Sequence, residues 1–170
     1  MKNNRTQFKM KIEKIKLISY VLWLVLFSVS CGSSNSASMI AVMEIKEPIE
    51  GVCDQDRVIS ILPFLDKGQV KAIAPKSKLE IQQDLNTTIE FLQSHLDYED
   101  EGMVSLIINC KGELVQSETS KQTQNPELEK QILAVFSELK EWTPGKLNNQ
   151  AVDTVVLYSF KIENSKVILN

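Results

Sequence analysis

The sequence predicts an α+β fold: a small antiparallel sheet of β-β-α-β order with one covering helix, preceded by one or two N-terminal helices. Three observations lead there. Two runs of alternating polarity, residues 103–110 and 113–119, flank Lys111-Gly112. An amphipathic run with a marked start follows Asn125-Pro126. A longer alternating run then covers residues 152–162. One helix lying on one face of such a sheet is an α+β arrangement.

The chain has 170 residues, enough for one modest domain with appendages. Residues 1–30 carry six bases (Lys2, Arg5, Lys9, Lys11, Lys14 and Lys16) and one acid, Glu13. Residues 17–30 form an apolar run. As a helix it would be about 20 Å long, short of the roughly 30 Å hydrocarbon core of a bilayer. A basic start, a short apolar stretch and a small residue at its end describe an export signal. Ser28 and Ser30 are the small residues, and Cys31 follows directly. The order resembles a bacterial lipobox, with Ser28 in place of the usual Leu. The expectation is a signal peptide over residues 1–30 and a mature chain that begins at acylated Cys31. Such a chain is a membrane-anchored lipoprotein of the cell envelope, facing the periplasm. An uncleaved anchor and an ordinary cleaved signal are the alternatives, and both export the chain.

Residues 31–50 read as a tether. Residues 32–38 are small and polar, and residues 39–50 alternate loosely around Pro48. Residues 51–97 read as a helical segment. Asp54 is placed to cap a short helix with Val58, Ile61, Leu62 and Leu65 on one face, ended or kinked by Pro63, with Lys67-Gly68 as a stop. A clearer helix runs from Ser77 to Leu96, with Ile81, Leu85, Ile89, Leu92 and Leu96 as its apolar stripe.

Residues 98–170 hold the sheet. In the first strand Val104, Leu106, Ile108 and Cys110 share one face, and Met103, Ser105, Ile107 and Asn109 share the other. Lys111-Gly112 supplies the turn, and residues 113–119 return. Asn125 caps the next helix and Pro126 opens it, with Glu127 and Glu129 near the positive pole of the dipole. Its stripe is Leu128, Ile132, Val135, Phe136 and Leu139, and Trp142-Thr143-Pro144-Gly145 stops it. Trp142 is expected to close the helix against the sheet. In the last long strand Val152, Thr154, Val156, Tyr158, Phe160 and Ile162 alternate with Asp153, Val155, Leu157, Ser159 and Lys161. Residues 165–169 add further extended chain.

Composition narrows the function. Beyond residue 30 the chain holds 13 bases and 21 acids, so no basic patch is available for nucleic acid. His95 is the single histidine, and no second ligand of matching spacing accompanies it. Asp97, Glu99, Asp100 and Glu101 lack the alternating spacing of a calcium loop and read as a solvated charged linker. There is no Gly-x-Ser-x-Gly elbow and no Gly-rich phosphate loop. No catalytic residue, cofactor or metal is expected. With Cys31 lipidated, Cys53 and Cys110 remain. An even pair in an oxidising compartment reads as a disulfide, with two separately buried thiols as the alternative.

Residues 98–162, about two-fifths of the chain, resemble the TonB C-terminal domain family. The resemblance rests on Glu101-Gly102-Met103-Val104, on Lys111-Gly112-Glu113-Leu114-Val115 and on the helix that follows. It rests also on Trp142-Thr143-Pro144-Gly145-Lys146 and on a last strand with Val155, Leu157, Tyr158 and Phe160. The resemblance implies a periplasmic domain that grips an extended segment of an outer-membrane transporter by adding a strand to its sheet edge. The gripping strand is then expected in Val152, Thr154, Val155, Val156, Leu157, Tyr158, Ser159 and Phe160, lying toward an edge of the sheet. Three features depart from the family: Tyr98-Glu99 replaces its Tyr-Pro, no long Pro/Lys-rich spacer is present, and a lipobox-like Cys31 ends the apolar segment. A lipid anchor cannot couple to a membrane motor as a spanning helix does. The expected partners are therefore an extended segment of an envelope protein and, through the lipid, a membrane. The alternative is a structural envelope lipoprotein that uses the domain for packing or homo-oligomerisation, with no transport role.

Overall fold

The computed structural model describes residues 41–170 apart from 44, 46 and 62–67. Cys31 and the expected signal peptide lie outside the described residues, as does Pro63. The described chain is mixed α+β, with a curled sheet and three helices. In chain order the elements are β1 (Ala41–Met43), β2 (Val58–Ser60), β3 (Gln69–Val70), α1 (Lys78–Thr88), α2 (Glu90–Ser94), β4 (Asp100–Ile108), β5 (Leu114–Lys121), α3 (Pro126–Ser137), β6 (Lys146–Leu147), β7 (Gln150–Ala151), β8 (Thr154–Glu163) and β9 (Lys166–Leu169).

The main sheet has the order β1-β2-β8-β4-β5, with β9 paired to β8. β4 runs antiparallel to both β5 and β8, while β2 runs parallel to β8. A smaller sheet, β3-β6-β7, stands beside it, and a bridge between Ile73 and Thr143 continues its pairing. Tight turns join the late strands. Asn148-Asn149 and Asn164-Ser165 all take positive φ, the geometry of two-residue hairpins.

The alternation sorts the faces. Val104, Leu106 and Ile108 of β4 and Phe160 and Ile162 of β8 turn to one side, where they pack with Leu128, Ile132, Val135 and Phe136 of α3, and with Ile81 and Leu85 of α1. Val167 and Leu169 of β9 complete this core. Gly102 is required at its margin, because a Cβ there would overlap the Phe160 ring. Trp142 is 4% exposed within the same cluster.

Three differences from the sequence reading have clear causes. The short helix after Asp54 is not formed: Val58–Ser60 is a strand, with Val58 and Ile59 fully buried. Its partner is almost a hundred residues away, at Thr154 and Val155, so local periodicity carries no trace of it. The expected segment 51–97 is thus part strand and part helix. Its main helix is also broken. Ile89 is extended (φ −76°, ψ 102°) and separates α1 from α2. The Gln131 side chain accepts the Phe91 N–H at 3.1 Å, which satisfies one free donor of the restarted helix. Leu96, the last residue of the expected stripe, is left exposed. At the start of α1 the reading of Ser77 as a boundary stands. Ser77 and Glu80 form a capping box, and that bond to Ser77 holds the Glu80 carboxyl below its ordinary range.

The third difference concerns β8, which does not lie at an edge. β4 flanks it on one side; on the other are β2 near its start and β9 near its end. The free side of β9 is in turn capped by side chains of α1. Asn86 donates to Val167 O at 2.9 Å and accepts from Val167 N at 2.7 Å, and Gln82 accepts from Leu169 N at 3.0 Å. The Asn86 amide serves as one residue of an extra strand. We predict that Asn86→Ala lowers stability by about 1–3 kcal/mol, because two part-buried backbone groups lose their partner. Urea denaturation of the variant beside the wild type checks this.

Candidate functional site

The densest polar structure lies where β4 ends and β8 begins. Cys53 and Cys110 are joined in a disulfide with Cα atoms 6.1 Å apart, across 57 positions of sequence. A loop of that length corresponds to about 4 kcal/mol in the chain-entropy model. Cys53 reaches the bond from the lead-in to β2. Cys110 reaches it from the β4–β5 turn.

Asp153 sits beneath the bond and is 2% exposed. Its Oδ1 accepts the N–H of Cys53 at 3.1 Å and of Cys110 at 2.9 Å, and its Oδ2 accepts the N–H of Asp54 at 2.7 Å. Its backbone carbonyl accepts Ile59 N–H at 2.9 Å, the bond that seats β2 on β8. One residue therefore ties three chain segments. The two sulfurs and an Asp153 oxygen lie within 4.8 Å of one another. With the sulfurs bonded to each other and the carboxylate taken up by three N–H groups, the cluster is a structural tie.

Asn109 completes it and is fully buried. Its Oδ1 accepts Lys111 and Glu113 N–H, each at 2.9 Å. Its Nδ2 donates to Gly51 O at 2.8 Å and to Glu113 Oε2 at 2.7 Å. All four hydrogen-bonding positions of the amide are used. The turn it shapes needs Gly112 at φ 83°, where a Cβ would overlap the Trp142 carbonyl. Trp142 N–H donates to Gly112 O at 3.0 Å, and its indole N–H to Leu139 O at 2.9 Å.

The strand expected to grip a peptide starts from this tie. Thr154 and Phe160 are buried; Val152, Val155, Val156, Tyr158 and Ser159 are half-buried; Leu157 is 52% exposed. Tyr158 turns toward the helices, its ring 5.0 Å from that of Phe136, and burial pushes its phenol up. Asp153 O accepts from Ile59 N, and Ser159 O accepts from Asn170 N at 3.0 Å, so both point away from β4. β8 pairs with β4 without a register shift. Strand alternation therefore aims the N–H and C=O of Leu157 the same way. No strand among the described residues meets them.

The far end of the sheet is held by a second carboxylate. Tyr98 Oη donates to Asp100 Oδ2 at 2.6 Å, joined there by Gln124 N–H at 2.9 Å. Burial, then this bond to Asp100, pushes the Tyr98 phenol up to about 12. Burial alone would raise Asp100, but the bonds from Tyr98, Gln124 and Glu101 outweigh it and hold its carboxyl below the ordinary range.

The sequence reading brought Cys53 and Cys110 together correctly. It missed Asp153 and Asn109, which the alternation presents as ordinary polar residues. The available signal was Asn109 three residues before Gly112, a side chain placed to bond its own turn. Compared with known proteins, the chain matches no family model, no curated protein and no solved structure. Among the described residues no helix is long and apolar enough to cross a membrane.

We predict that Asp153→Asn, with the disulfide intact, costs about 1–3 kcal/mol, because an amide nitrogen then faces a part-buried N–H in place of an acceptor. Guanidinium denaturation under non-reducing conditions measures it.

Proposed function

We propose that this chain is an envelope lipoprotein anchored through Cys31. Its domain, similar to the TonB C-terminal domain, binds an extended segment of a membrane or periplasmic partner by strand addition at β8. An outer-membrane transporter is one such partner. The observation that carries this reading is Leu157, exposed and with its outward N–H and C=O unmatched by any strand among the described residues. Among the described residues β2 ends at Ser60, short of Leu157. A partner strand supplies a donor and an acceptor to that stretch of backbone, and the side chains around Leu157 set its preference.

The terminal strand β5 suits addition less well. Relative to β4, β5 carries an extra residue at Val115 and at Ser120, and Glu118 and Lys121 stand on it. Bulges and charges on an edge discourage pairing.

A second reading has its own observation in favour. β2, β9 and the Asn86 amide together occupy most of the sheet border on the β8 side. That fits a packing or oligomerisation module with no transport role.

Two measurements test the proposal. The mass of the mature protein should correspond to loss of residues 1–30 with acyl groups added on Cys31; an intact leader in the membrane-bound protein excludes the lipoprotein reading. For the edge, the mature chain captures partners from detergent-solubilised envelopes of its own cells. Leu157→Ala should weaken capture only modestly, and Leu157→Pro at least about tenfold, because it deletes a backbone donor. Both variants are first checked for native circular dichroism. A folded Leu157→Pro that captures like wild type favours the packing module.

A further inference from the structure

β2 reaches β8 as the end of a strap, residues 49–60, that crosses from the β4–β5 turn. Its grip on β8 is short, with two register pairs, Ile59 with Thr154 and Ser60 with Val155. β1 adds three antiparallel pairs on its outer side. So few strand contacts are marginal by themselves. Besides the burial of Val58 and Ile59, what fixes the strap is concentrated at one place: the Cys53–Cys110 bond, the Asp153 carboxylate on Cys53 and Asp54 N–H, and Asn109 Nδ2 on Gly51 O. Cys53 is exposed and Cys110 half-buried, so the bond stands within reach of a thiol from solution.

We propose that the Cys53–Cys110 disulfide is a redox latch on the β8 edge. Closed, it holds β2 over the start of the strand. Open, it lets the strap lift, and the stretch of β8 at Leu157 that no strand among the described residues meets extends back through Val155 to the carbonyl of Asp153. The opening reagent is a dithiol reductant, which supplies two electrons. One of its thiolates attacks Cys53 Sγ; the Cys53–Cys110 bond breaks, and Cys110 leaves as a thiolate that takes up a proton. The second thiol of the reductant then displaces Cys53 as a thiol, and the reductant departs as its own disulfide. The main cluster formed by β4, β8, β9 and the helices does not have to move: Val58 and Ile59 stand outside it, and lifting the strap exposes these two fully buried side chains. What the lengthened edge takes up rests on the strand-addition reading; the lifting of the strap does not.

Amide hydrogen exchange on the mature chain tests the latch, comparing oxidised protein, protein treated with dithiothreitol, and the double variant Cys53→Ser/Cys110→Ser. Exchange at Ile59, Ser60 and Val155 should quicken, in the reduced protein and in the variant, at least about tenfold more than exchange at Leu106 and Phe136, which report only the global loss of stability. Equal acceleration at all five positions makes the bond a global staple and overturns the latch. Unchanged exchange at Ile59 and Val155 overturns it as well. Envelope capture by oxidised and reduced protein separates the two readings: a strap that lifts without any gain in capture keeps the latch and counts against strand addition.

Discussion

The Asp153 carboxylate is the point on which the rest of the arrangement depends. A carboxylate with 2% exposure is tolerable only when its lone pairs are met, since burying an unpaired charge costs several kcal/mol. Three backbone N–H groups meet it here, drawn from Cys53, Asp54 and Cys110. Those donors exist only if the lead-in segment and the β4–β5 turn are both in place. The turn in its place needs Asn109, which in turn reaches Gly51 in the lead-in. The dependence is mutual, and the disulfide makes it covalent. A tie of this kind fixes the register of β8 against β2 more firmly than two strand pairs could.

From that register follows the treatment of the sheet's borders. A strand with unpaired N–H and C=O groups invites other chains, and three devices answer it. β9 folds back on β8, and its own border is covered by Asn86 and Gln82. β5 is bulged twice and charged. The start of β8 is covered by a parallel strand brought in from far away in sequence. Among the described residues, the outer side of β1 and the centre of β8 at Leu157, where β2 has ended and β9 has not yet begun, meet no partner strand. Under the proposed strand addition, so short a stretch between two covers would select a partner that is extended there and presents a donor and an acceptor at the right spacing.

Much of this was legible in the sequence, and the part that was not shares one physical property. β4, β5, α3 and β8 each carry their own signal: alternation, a glycine turn, or an Asn-Pro start with a helical stripe. They pack with neighbours or within one hairpin, so local pattern and final place agree. β2 was misread because three residues give too short a period, and Asp54 upstream looks like a helix cap. Its N–H is instead spent on Asp153. The break at Ile89 left no signal, since Ile89 continues the helical spacing and is buried in either conformation. Asp153 and Asn109 were passed over because their partners are backbone groups, which a sequence does not display. The edge position of β8 was inferred from the β-β-α-β order and the family resemblance, and neither includes a cover that arrives from 95 positions upstream.

The motif residues behind the family resemblance have their own explanation in this chain. Trp142 fills the core, bonds Leu139 O through its indole and fastens Gly112 O through its backbone. Gly112 is demanded by the Trp142 carbonyl, Gly102 by the Phe160 ring and Gly145 by Thr154, since a Cβ at any of them would overlap its neighbour. These are requirements of packing a β4–β5 hairpin under a helix and against β8. Any sequence solving that packing problem is pushed toward the same residues, whatever it binds. The resemblance is therefore an argument about architecture, and function has to be argued from what the architecture leaves open. Among the described residues that is a short stretch of backbone at Leu157, between the end of β2 and the start of β9. The glycine and tryptophan signature is explained without it, so the signature by itself is no evidence for binding there.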